Sequence, residues 1–354
     1  MDKKKRRDKE QTPFQQKSRA EEISVEQLQQ AFRKECKNKN ISTIQTQCVY
    51  NLLKDFIENE EEKGPLKQLC IGGDIGSQVC AALCDAIVKS KYDKLHTYCF
   101  WRAGIGDEGA LHISQHIANC PSLKKLELRD CGVSHVGIQA LAEGILKNNS
   151  SIKTSKSKRR FKTLETIRLD FNKIGDAGIL HLSNGLEFNR SLKRLSLQYC
   201  GIGSTQQAVQ GITQIFSSFP SIDIDRELDL QGNSVKTSGC DGIVKGLQNI
   251  RSQNFWRLNL SENGIGENCG LYINCFDVIY LRGICLRPKQ YFSLHYHCIY
   301  TKLNETEKDD LPMIQTLVDA FANCQTLKHL QMESNFFEEE VCFHYAKNRG
   351  SCCV

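Results

Sequence analysis

Apolar and polar residues alternate in short bursts along this chain, and each burst is followed by apolar residues spaced three and four apart. Leu123, Leu126 and Leu128 form one such burst, and a period of two predicts a short strand with one buried face. Ile138, Leu141 and Ile145 follow with polar residues opposite, which predicts a helix burying a single stripe. Between the two stand Asn or Cys and then Gly with an aliphatic residue, as in CGV, NKIGDAG and ENGIG. The unit is strand, turn, helix.

The unit recurs. Its first apolar positions align at Leu66, Leu95, Leu123, Leu164, Leu192, Asp225, Phe255 and Leu327, at intervals of about 29, 28, 41, 28, 33, 30 and 72 residues. One unit cannot cover its own apolar face, so neighbours must stack, with strands in a parallel sheet and helices in an outer layer. Helices are wider than strands, so the stack curves. The fold class expected is therefore α/β, a solenoid with parallel strands on the concave face and helices on the convex face. The Asn or Cys after each strand, at Cys131, Asn172, Cys200, Asn233 and Asn263, is expected to satisfy backbone groups at the bend.

This pattern resembles the leucine-rich repeat, and the long unit with NKIGDAG resembles its ribonuclease-inhibitor-like subclass. The resemblance covers residues 64–340 and implies a horseshoe-shaped solenoid. The stretches CFWRAGIGDEG and LDFNKIGDAGILHLSNGLEFNRSLKRLSLQ are similar to leucine-rich repeat proteins of cilia and flagella, which implies a structural or assembly role there. The GTPase activators for Ran share the repeat subclass and supply the alternative, a regulator of a small GTPase. That family carries an acidic C-terminal tail, which is missing here, and a catalytic arginine in an early loop, to which Arg102 has no residue-by-residue match.

Around the array, residues 1–20 read as a disordered basic tail and 21–63 as a helical N-terminal cap over the first strand, with Leu28, Phe32, Val49, Leu52, Leu53, Phe56 and Ile57 on helical faces. Residues 341–354 read as an irregular tail. Two insertions interrupt the repeat, at 152–162 and 271–313. The first carries Lys153, Lys156, Lys158, Arg159, Arg160 and Lys162; it reads as a solvated loop, or alternatively as a contact for an acidic partner or an RNA backbone. Removing the 43 residues from Leu271 to Met313 restores an interval of about 29, so this segment falls between the turn and helix of one unit. It admits three readings: a zinc site using Cys269, Cys275, Cys285, His295, His297 and Cys298, a functional rim loop, or translated non-coding sequence. The first suffers from the absence of Cys-x-x-Cys or His-x-x-x-His spacing; the last is preferred because long structureless loops inside compact domains are uncommon.

Composition narrows the setting. Hydrophobic residues make up 40% and charged residues 25%, as in a soluble globular protein, and no apolar run is long enough to span a bilayer. The N-terminus is charged with no apolar core behind it, so a cytoplasmic location is expected, with the cilium or flagellum as a narrower site and the nucleus as an alternative from Lys3–Arg7. The 18 cysteines are then expected to be reduced thiols. The net charge of +6 sits partly in the tail and says little about partners. No nucleophile elbow, phosphate loop or zinc-protease helix occurs, and GIGDEG is a repeat turn, so neither catalysis, cofactor nor metal is expected.

Function is expected on the concave face, where the strand residues between buried leucines point: Thr97, Cys99 and Trp101; Lys125, Glu127 and Arg129; Thr166, Arg168 and Asp170; Arg194, Ser196 and Gln198; Glu227, Asp229 and Gln231; Arg257, Asn259 and Ser261. The set is charged and mixed in sign. Trp101, Phe171 and Tyr199 lie beside arginines at the strand ends, a composition typical of interface anchors, although they could equally pack under neighbouring turns. The reading is a non-enzymatic scaffold or adaptor that binds another protein through Trp101, Arg129, Arg168, Asp170, Phe171, Arg194, Gln198, Tyr199, Asp229 and Arg257. Neither a membrane nor a nucleic acid is the expected partner.

Overall fold

The computed structural model describes residues 24–265 except 119, 121, 155–163, 188, 190, 219–225 and 249–255, and beyond them 278–282, 291–294, 316, 320 and 327–331. The N-terminal and C-terminal tails, most of the basic insertion and all six of the cysteines and histidines considered for zinc lie outside the described residues.

Three helices come first, α1 (Val25–Asn38), α2 (Thr43–Glu58) and the short α3 (Glu60–Lys63). Ser24 starts α1 with a capping box: its hydroxyl accepts from Gln27 N, and the Gln27 side chain accepts from Ser24 N. Leu28, Phe32, Val49 and Leu53 are buried, with Leu52, Phe56 and Ile57 packed against them. The cap docks on the first helix of the array, α4 (Gly76–Ser90), held also by ion pairs from Lys39 to Asp85 at 3.1 Å and from Lys89 to the buried Glu35 at 2.6 Å. It thus extends the helical layer.

The units follow in order: β1 (Gln68–Gly72) with α4, β2 (Thr97–Trp101) with α5 (Gly106–Ile117), β3 (Lys125–Arg129) with α6 (His135–Thr154), β4 (Thr166–Arg168) with α7 (Gly175–Gly185), β5 (Arg194–Ser196) with α8 (Gln206–Ser218), β6 (Arg226–Asp229) with α9 (Lys236–Gln248), and β7 (Trp256–Asn259). Each strand from β1 to β7 pairs in parallel with the next, and each helix from α4 to α9 packs on the next. Alternate strand residues fill the space between the layers: Tyr98 and Phe100, Leu126 and Leu128, Leu195 and Leu197, Leu228 and Leu230 are all buried. One continuous apolar core runs from the cap to Ile265. No helix among the described residues is long and apolar enough to cross a membrane.

Polar side chains at the bends tie each unit to its neighbours. Asn172 Oδ1 accepts from the backbone N–H groups of Cys131 and Val133, while its Nδ2 donates to the carbonyls of Leu128 and Leu169. Asn233 repeats this with Cys200 and Ile202 on one side and Leu197 and Leu230 on the other. Cysteine does the smaller part of the job. Cys131 Sγ donates to the carbonyls of Phe100 and Arg129, and Cys200 Sγ to those of Leu169 and Gln198. Burial pushes both thiols up, to about 11 for Cys131 and about 12 for Cys200. In the other direction, Asp107 Oδ1 accepts from the N–H groups of Ser134 and Gly137 and its Oδ2 from the Ser134 hydroxyl, capping the start of α6 from the preceding unit. Asp176 reaches Gly203 N and the Thr205 hydroxyl in the same way.

Helix spacing is set by small residues. A Cβ on Gly185 of α7 would stand 2.7 Å from the Ala142 backbone of α6, and one on Gly242 of α9 would stand 2.7 Å from the Val209 carbonyl of α8. The helices therefore meet backbone to backbone.

β10 (Leu327–Gln331) pairs in parallel directly with β7. Two stretches of the intervening segment are strands, β8 (Val278–Arg282) and β9 (Tyr291–Leu294); they pair antiparallel with each other, and β8 pairs antiparallel with β10. The sheet order thus ends β7-β10-β8-β9.

Candidate functional site

Strand register sorts the concave side chains into rows that cross the sheet. Cys99, Glu127, Arg168, Ser196, Asp229 and Asn259 are successive Cα partners, and Trp101 is the partner of Arg129. The middle row carries a polar network. Cys99 Sγ donates to Glu127 Oε2 at 3.3 Å, the Ser196 hydroxyl donates to Asp170 Oδ1, which also accepts from Gln198 N at 3.1 Å, and Gln198 Nε2 donates to Asp229 Oδ2 at 2.6 Å.

Glu127 is the buried centre of the cationic end. Lys125 Nζ lies 2.9 Å from its Oε1, off the line of a hydrogen bond, with Arg129 at 3.5 Å and Arg168 at 3.9 Å. Burial works to raise the Glu127 carboxyl, yet Lys125, the Cys99 contact and Arg129 together outweigh it and hold the group below its ordinary value. Asp229 behaves oppositely. Burial raises it, and the bonds from Gln198, Gln231 N and Asn259 offset that only in part.

A second feature lies on the rim, one to three residues beyond the strand ends. Arg102, Asp130, Phe171, Tyr199, Gly232 and Glu262 occupy the same place in successive units, and all six have left-handed backbones, with φ of 52°, 52°, 61°, 50°, 68° and 58°. The ladder continues through them: Arg102 N donates to Arg129 O, Asp130 N to Asp170 O, Phe171 N to Gln198 O and Tyr199 N to Gln231 O. For bulky residues this conformation costs about 1–3 kcal/mol, and such strain persists where the surroundings impose it. The rings of Phe171 and Tyr199 are exposed and stack on each other. The Tyr199 hydroxyl donates to Glu262 at 2.6 Å, and its ring passes over Gly232, where a Cβ would come within 2.2 Å of it. At the other end the Arg102 guanidinium lies 5.2 Å from the Trp101 ring centroid while its Nε bonds Asp130 at 3.0 Å.

Of the residues singled out from sequence, Trp101, Phe171, Tyr199, Arg194 and Arg257 are exposed, and Arg129, Arg168 and Gln198 are half-buried. Asp170 and Asp229 face the same way but are buried and bond to groups of the neighbouring strands. Trp101 and Phe171 are about half exposed, while the Tyr199 ring rests against the Gly232 turn of the next unit. Arg102, Asp130 and Glu262 were not singled out for the face, although the residue before each turn Asn or Cys forms a column that Gly232 marks as left-handed. Among the described residues, no group of three His, Cys, Asp or Glu is placed to hold a metal ion.

Three stretches, 119–142, 162–183 and 188–205, match the family model described as leucine-rich repeat. Over 179 residues the chain is 29% identical to ribonuclease inhibitor of Mus musculus, a span of 49% of this chain and 33% of the inhibitor. Over 197 residues it is 22% identical to ribonuclease inhibitor of Sus scrofa, covering 50% of this chain and 42% of the inhibitor. The chain therefore spans less than half the length of either relative. Repeating units, Asn and Cys turns, the parallel sheet and these matches mark a leucine-rich repeat fold similar to that of ribonuclease inhibitors.

Proposed function

We propose that the chain is a non-enzymatic scaffold or adaptor that binds another protein across the concave face and its aromatic rim. The observation that carries this reading is the exposed Phe171–Tyr199 stack, built on two left-handed residues beside Trp101 and a row of arginines. Exposed rings held in one orientation lose little freedom on binding, and aromatic and arginine side chains supply most interface hot spots. A cytoplasmic location suits the buried free thiols of Cys36, Cys131 and Cys200, and a structural or assembly role in cilia or flagella follows from the resemblance of the repeat stretches. For regulation of a small GTPase, an arginine free to reach into a nucleotide site is needed; Arg102 is instead engaged by Asp130 and Trp101, which favours the scaffold.

The test is capture of native partners by the full chain, scored for axonemal proteins against Ran and its relatives, with Trp101→Ala plus Tyr199→Ala as the control. The double variant is expected to weaken association by roughly 2 kcal/mol while keeping its melting temperature. Undiminished capture by the double variant moves the binding surface off this face.

A further inference from the structure

In the sequence the concave face is mixed in sign, but in the fold the signs lie at different depths. Lys125, Arg129 and Arg168 are 35–44% exposed, whereas Glu127, which they surround, is 4% exposed. Asp170, 3.6 Å from Arg168 Nε, is 2% exposed. Long cationic side chains lie along the sheet and keep their heads in water, while the shorter carboxylates stay on the floor. Three cations over two buried carboxylates leave one positive charge facing outward. Arg129 adds a buried Nε with no hydrogen-bond partner. Across the sheet the layering recurs: exposed Arg194 and Arg257 lie 3.5 and 4.0 Å from the half-buried Glu227, and Asp229, two residues along the same strand, is buried.

Two clusters of outer cations set apart over buried carboxylates do not match a polyphosphate. A nucleic-acid backbone brings closely spaced charges and calls for cations that carboxylates have not already compensated. They match separate carboxylates. The two clusters are about two and a half strands apart, or roughly 12–14 Å, which an extended polypeptide covers in about four residues.

Resting on the protein-binding reading above, we propose that this face takes an acidic polypeptide segment in extended form. One carboxylate sits over Lys125, Arg129 and Arg168, a second about four residues away sits over Arg194 and Arg257, and an apolar or aromatic side chain lies against the Phe171–Tyr199 stack. The partner's chemistry is thereby opposite in sign to the outer layer of this face.

Fluorescence anisotropy of the full chain with a labelled glutamate–tyrosine copolymer tests this, beside a lysine–tyrosine copolymer and a 20-nucleotide oligothymidylate. The glutamate–tyrosine polymer is expected to bind, to weaken with salt, and to lose at least tenfold in affinity with Arg168→Glu and several-fold with Tyr199→Ala. Reversal beside Glu127 and Asp170 risks unfolding, so Arg194→Glu, at an exposed position, is the second variant, with circular dichroism confirming its fold. Equal binding of both copolymers, binding indifferent to Arg168 and Arg194, tighter binding of the oligonucleotide through the same residues, or no binding of any polymer overturns the inference. Native-partner capture that survives both arginine reversals but fails with the aromatic double variant removes the acidic segment alone and leaves the scaffold standing.

Discussion

The rings of Phe171 and Tyr199 stack with centroids 5.1 Å apart and planes 9° from parallel, each carried by a left-handed residue on adjacent strands. Repeat geometry accounts for this. Equivalent positions on neighbouring units lie one strand spacing apart, about 4.8 Å, close to the ring separation, so two aromatics in the same column stack if their backbones agree.

Gly232, next in that column, is required by its neighbour. Gly232→Ala is expected to destabilise the protein by about 2 kcal/mol, through a left-handed alanine and a clash with the Tyr199 ring. In a Tyr199→Ala background the same change should cost only about 1 kcal/mol, the backbone part. Urea denaturation of the four-member cycle measures the difference; equal costs in both backgrounds would show that the ring does not lie over Gly232.

Asn172 serves five backbone groups of the two units it joins. Asn172→Ala leaves buried N–H and carbonyl groups without partners and is expected to cost about 3 kcal/mol or more. Asn172→Cys, using the residue that stands in this column at Cys131 and Cys200, should cost clearly less. Denaturation midpoints compare the pair, and equal loss from both substitutions would deny the column its shared role.

Buried His116 bonds the Tyr98 hydroxyl at 3.1 Å, and burial lowers it from the ordinary 6.5 to about 4. Its folded form is neutral, so the unfolded chain binds the extra proton between those values and stability is lost as pH falls from about 6.5 toward 4. The effect amounts to at most about 3 kcal/mol. His116→Gln should flatten the stability profile across this window; an unchanged slope assigns the acid sensitivity elsewhere.

Thiols at Cys131 and Cys200, raised to about 11 and about 12, are protonated at neutral pH and should resist alkylation, while exposed Cys48 and Cys70 react. The linkage runs the other way from that of the histidine. Unfolded thiols ionise near 9, so stability held below that pH falls as pH rises toward 11–12. Mass spectrometry after timed iodoacetamide treatment reads the order of reaction, and early modification of Cys200 in folded protein would contradict its burial.

Much of this architecture is legible in the residues themselves. Leucine alternation gives the strands, helical spacing gives the outer layer, and the Asn and Cys column gives the bends, because each depends on local period and on groups that must bury or bond. Depth is not legible in the same way. Period two assigns Asp170 and Trp101 to the same side, but only side-chain length and the neighbouring strands decide that Asp170 stays on the floor while Trp101 stands clear. The left-handed rim escapes a period argument too, since it is imposed on Phe171 and Tyr199 by the turn that follows. Likewise, the cap helices can be read from their apolar stripes, but their docking on α4 depends on a surface assembled from distant residues.

Asp107 caps the helix of the unit after its own, and Asn172 satisfies the bend of the unit before its own; between them stands β3 with α6, its polar groups served from both sides. A unit so held owns little of its stability. Excising it, or breaking the array beside it, strips the severed ends of partners that no solvent-facing surface replaces in kind. Unfolding should therefore spread across unit borders faster than it starts within them, so that the array melts in one transition and its curved binding surface is lost as a whole rather than strand by strand.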